Sequence, residues 1–111
     1  MQVPKITRAI PKRRYVIGPY LAVILGEVES PDAADYRYIL ALTPEGTTEP
    51  VLFITSARGP EGYVLRLEAN RVSQEMGQGP QWGDLEVFAH DALGIAQRAM
   101  GLTDETAYRQ M

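Results

Sequence analysis

The sequence predicts an α+β fold: a twisted antiparallel meander sheet of about five or six strands packed against one long C-terminal helix. Three observations predict it. Short runs rich in Val, Ile, Leu and Tyr recur roughly every 13 residues before position 70, with Gly and Pro turns between them. A single stretch near the end, Asp84 to Leu102, keeps a helical apolar period. Helical patterns do not alternate with the strands, so the strands come first and the helix last.

A chain of 111 residues is one domain of ordinary size. We divide it into an extended basic arm over residues 1–12, a single α+β domain over 13–102, and a short C-terminal turn or tail over 103–111. Residues 1–12 hold Pro4 and Pro11 and show no period, so they are expected to be extended. Tyr15 to Ile17 can form a short strand, and Gly18-Pro19 ends it. YLAVILGEV, residues 20–28, is the first strong strand, apolar on both faces as far as Leu25. Such a strand needs two covers, the helix on one side and the arm or a partner subunit on the other.

A polar turn around Pro31 follows, then YRYILALT (36–43), in which Tyr36, Tyr38, Leu40 and Leu42 form the buried face. PVLFITSA (50–57) returns after a loop at Pro44 to Glu49, and GYVLRLEA (62–69) returns after Arg58 to Glu61. In the last of these, Tyr63, Leu65 and Leu67 oppose Val64, Arg66 and Glu68. Arg71 to Met76 can make a sixth, edge strand, whereas Gly77, Gly79, Pro80 and Gly83 argue against any regular element beyond it.

In the helix, Leu85, Phe88, Ala92, Ile95, Ala99 and Leu102 share a face, with Ala89, Leu93, Ala96 and Met100 beside them. Its alanines let the axis approach a flat sheet. Asp84 suits the N-cap and Gly101 a left-handed C-cap. Gly94, at mid-helix, costs about 1 kcal/mol relative to alanine. It is either a tolerated loss or a place where something approaches the backbone. Thr103-Asp104-Glu105 can cap one more turn through Ala107 and Tyr108, or fray.

Composition excludes several chemistries. With no cysteine there are no disulfides, thiolate metal sites or cysteine nucleophiles. The one histidine, His90, has Glu86 one turn earlier, and two groups do not complete a metal site or a triad. We therefore assign no catalytic residue, no metal and no cofactor. The start of the chain lacks the apolar core of a signal peptide, and the longest apolar run is far below the ~20 residues of a membrane span. A cytoplasmic protein with no membrane contact is expected.

Two stretches could make contacts. The loop before the helix gathers Arg71, Gln74, Gln78 and Trp82, amides and an amphipathic ring of the kind used at interfaces. Trp82 could instead pack over the helix N-terminus and close the core. Lys12, Arg13 and Arg14 belong to a basic segment: residues 1–26 carry +5 and the remaining 85 carry −8, within a net charge of −3. That segment can fold onto its own acidic body or that of a neighbour, or reach for an anionic partner. The leading expectation is a non-enzymatic binding or assembly domain, acting through protein contacts, with a second copy of itself (a homodimer) or another protein as partner. Single-stranded nucleic-acid binding through the arm and sheet is the first alternative. A small enzyme or ligand-binding protein with its site in the 70–83 loop is the second.

Overall fold

Residues 1–102 and 108–111 are described by the structure, a computed structural model. The chain forms β1 (Arg8–Ile17), β2 (Tyr20–Glu29), β3 (Tyr36–Pro44), β4 (Leu52–Gly59), β5 (Gly62–Ala69) and β6 (Val72–Gly79). A one-turn 3-10 helix at Pro80–Gly83 then leads into α1 (Leu85–Ala99), and β7 (Tyr108–Gln110) comes last. The strands make one antiparallel sheet in the order β6-β5-β4-β3-β2-β1-β7, with α1 packed on one face. This is the expected α+β meander with one more strand than anticipated.

The core follows from strand alternation. Tyr15 and Ile17 of β1, Ala22 and Ile24 of β2, Leu40 and Leu42 of β3, Leu52 and Ile54 of β4, and Leu65 and Leu67 of β5 all face the helix. Against them α1 sets Phe88, Ala89, Ala92, Leu93, Ile95 and Ala96. Phe88, Ala92 and Ala96 are wholly buried, which places the helix axis near the strands. Ala99, expected on this face, is exposed at the helix end. The caps are as expected: Asp84 accepts from the Val87 N–H at 3.1 Å, and Gly101 turns left-handed at φ +70°.

Three boundaries differ from expectation, each for a local reason. Residues 8–12 are not part of an extended arm; they belong to β1. Pro11 is accommodated at a bulge on the part of β1 that β7 does not cover, where no neighbouring strand needs its missing N–H. The edge strand β6 continues through Gly77 and Gly79, pairing them with Leu65 and Tyr63. Glycine is required at 77 because a Cβ there would lie 2.7 Å from the Trp82 ring. Tyr108 belongs to β7 rather than to an added helical turn, pairing with Ile17 and setting its ring edge-on to Tyr15 at 5.6 Å. The rest of that expected turn, Thr103 to Ala107, lies outside the described residues.

The second face of the sheet is where tertiary structure adds most. Register places Leu25, Ile39, Thr55 and Arg66 in one row across β2 to β5, and Val23, Ala41, Phe53 and Glu68 in the next. Ile39, Phe53, Thr55 and Glu68 are buried although the helix is on the other side. Residues 1–7 provide the cover. The Met1 nitrogen donates to the Asn70 carbonyl, and Gln2 N–H to Glu68 Oε2 at 3.0 Å. Further along, Lys5 N–H donates to Asp32 Oδ2 at 3.0 Å and Thr7 N–H to the Glu29 carbonyl at 2.8 Å. The segment thus crosses the face as a strap, with its own Pro4 buried. Among the described residues, no helix is long and apolar enough to cross a membrane.

Candidate functional site

The residues singled out in the sequence do not converge. Lys12, Arg13 and Arg14 lie on β1, and Gln74 and Gln78 on β6, with four strands between. Arg71 is exposed in the β5–β6 turn. Gln78 donates to Glu75 at 3.3 Å along its own strand. Gln74 borders an apolar trough at the end of α1, formed with Val51, Leu67, Val72 and Met100.

The basic residues are partly engaged. Lys12 Nζ sits 2.6 Å from Glu27 Oε2, and its stem lies over Gly26, where a Cβ would come within 2.9 Å. Arg13 reaches Glu86 on α1. Both acids are held below the usual carboxylate range, chiefly by the hydrogen bond from the cation, and Arg13 is raised further by its bond to Glu86. Two of the three cations therefore face the protein's own acidic body. Of the three, Arg14 has no ion pair with a described residue, and it lines a shallow basin with Pro11, Gln110 and Met111. Two of the tyrosines are committed to the core: Tyr38 is buried beside Phe88 with ring centroids 5.4 Å apart, and Tyr15 is buried in the same cluster.

Trp82 is the one expected contact residue that shapes a cleft. Ser56, buried on β4, donates to the Trp82 carbonyl at 2.7 Å and ties the 3-10 turn to the sheet. The indole N–H donates to Asp91 Oδ2 at 2.9 Å, joining that turn to the helix. The ring is half-buried against the core while its outer face closes a cleft of about 240 Å³ between α1 and β6. Leu65, Met76 and Ile95 give this cleft apolar walls, and His90, Asp91, Gly94 and Arg98 line its helical side. His90 Nδ1 lies 3.2 Å from Asp91 Oδ1, so both oxygens of Asp91 are engaged. Asp91 and Arg98 carried no mark in the sequence, because only the register of α1 against β6 brings them to Trp82.

The outer face of β1 to β3 is the second candidate. Val16, Leu21, Val23, Leu25 and Ala41 lie there outside the strap's hydrogen-bonded path, and Leu21 is 38% exposed. A third feature lies beneath the strap. Glu68, on the side of β5 opposite Leu65 and Leu67, is only 5% exposed and accepts from Ser73 Oγ at 2.7 Å as well as from Gln2. Nearby Tyr36 donates to Asp32 at 3.1 Å, and burial followed by that bond pushes its hydroxyl up to about 12. Among the described residues, no three His, Asp or Glu side chains are grouped to hold a metal ion. Compared with protein-family models, curated proteins and solved structures, the chain matches none.

Proposed function

We propose that this chain is a non-enzymatic binding and assembly domain that works as a homodimer through the outer face of β1 to β3. The observation that carries the reading is the apolar stripe of Leu21, Val23 and Leu25 on β2, flanked by Val16 and Ala41. β2 is apolar on both faces; the helix covers one, and on the other the strap's anchors run from Asn70 and Glu68 at the end of β5 to Asp32 in the β2–β3 turn and Glu29 at the end of β2, leaving Leu21 and Val23 unbonded to it. Apolar side chains contiguous across three strands favour a protein partner over water. A second copy suits the surface because it brings the same stripe to a two-fold contact. It also brings an acidic body to Arg14, which pairs with Val23 at the border of the patch.

Sedimentation equilibrium across micromolar concentrations tests the reading. A dimer is expected, and Leu21→Glu should convert it to a monomer while leaving the circular dichroism spectrum unchanged. A wild-type monomer at every concentration would overturn the homodimer, and a dimer that survives Leu21→Glu would remove this face as its interface.

A further inference from the structure

The cleft beside Trp82 has the composition of a small ligand site, and its parts are arranged for an anion carried on an apolar ring. Arg98 has no carboxylate partner among the described residues, although it stands on an acidic chain. Its guanidinium is folded back over Gly94: a Cβ built at that glycine would lie 3.5 Å from Arg98 Nη1 and would meet no other side chain. The mid-helix glycine, unfavourable for the helix by about 1 kcal/mol, thus leaves the cleft floor open where a cation is held. The Trp82 ring and the side chains of Leu65, Met76 and Ile95 make up the apolar part of the lining.

Asp91 is the one acid in this cleft, and it is turned towards the protein. One of its oxygens accepts from the indole N–H and the other faces His90 Nδ1, which leaves the imidazole Nε2 directed away from it. The remaining unpaired charge is the guanidinium, whose planar fork matches a carboxylate. A volume of about 240 Å³ lies below the range of ~300–1,000 Å³ typical of drug-sized ligands, so a single-ring molecule fits the scale and a nucleotide does not.

We propose that this cleft binds a small aromatic carboxylate, with Arg98 pairing with the carboxylate and the Trp82 face receiving the ring. The site is on the helix side of the sheet and does not depend on dimer formation through the opposite face. Because Trp82 is the only tryptophan, the protein has a single indole N–H resonance, and that proton lies at the cleft.

Titration of the full chain with benzoate, followed by that resonance, tests the proposal, with uncharged benzamide as the control. A saturable shift with a Kd below about 1 mM is expected, at least about tenfold tighter than benzamide. Arg98→Gln, an exposed change, should weaken benzoate about tenfold and leave benzamide unaffected. Gly94→Leu should block both while keeping the helix, since leucine is a better helix former than glycine. Absence of saturation by benzoate, equal binding of benzamide, or undiminished binding to Arg98→Gln would each overturn the proposal.

Discussion

Replacing Phe88 with alanine removes the largest side chain at the helix–sheet contact and asks whether that contact carries the fold. Phe88 is wholly buried, lies tilted against Tyr38 with centroids 5.4 Å apart, and belongs to the cluster that links α1 to five strands. A buried Phe→Ala change costs about 3–5 kcal/mol, the higher figure where neighbours cannot collapse into the space. Here strands paired on both sides hold the opposing residues Leu40 and Ile54 in place, so the upper half of that range is expected. For a domain near this size the loss corresponds to a fall in Tm of at least about 12 °C. Ala92→Leu is the complementary perturbation. Ala92 is wholly buried where the helix lies over the sheet, and added bulk there should cost about 1–3 kcal/mol. Urea unfolding followed by circular dichroism measures both. A Phe88→Ala loss under about 1.5 kcal/mol, or an unchanged midpoint for Ala92→Leu, would refute the reasoning that α1 is seated on the sheet by its alanines and anchored by Phe88.

Three further outcomes are expected. Ser56→Ala should cost about 1–3 kcal/mol, because it leaves the Trp82 carbonyl without its buried donor; the same variant should shift tryptophan emission towards that of exposed indole. Tyr36 has a folded-state value of about 12 against an ordinary 10.0, so its contribution is fully present below pH 10 and is lost as pH rises through about 12. Tyr36→Phe should therefore flatten the loss of stability over that alkaline window, as read from urea midpoints. Lys12→Gln and Arg13→Gln should each change stability by less than about 1 kcal/mol, since their acidic partners Glu27 and Glu86 are largely exposed; a loss above 2 kcal/mol in calorimetry would contradict that assignment.

The elements that could be read in the sequence are those whose signal is local. Alternation fixes which side of β3 from Tyr38 onward and of β5 faces the core, while the register shift between Tyr36 and Tyr38 puts Tyr36, expected on the core face, beneath the strap instead; the helical period with Asp84 and Gly101 at its ends fixes α1. The doubly apolar Tyr20 to Leu25 segment likewise shows that both faces of the sheet need cover. Local rules failed where the packed surroundings relieve the penalty on which they rest. Pro11 sits in β1 because the adjacent edge is open and the strand is bulged there. Gly77 sits in β6 because Trp82 occupies the space its side chain would need.

The candidate sites divide in the same way. Trp82 was visible from its composition and setting, since a lone indole among amides before a helix must either pack or make contacts; its ring packs against the core and lines the cleft. Arg98 and Asp91 are ordinary polar-face residues in the sequence, and Glu68 is an ordinary outward-facing charge. Their roles follow from which segment lies over them: the β6 edge beside α1, and residues 1–7 across the second face. The sequence by itself determined the strands, the helix and the need for two covers, because hydrophobic period and caps act over a few residues. Tertiary structure decided what supplies the second cover and where unpaired charge meets apolar surface, because those outcomes depend on packing between segments up to 69 residues apart.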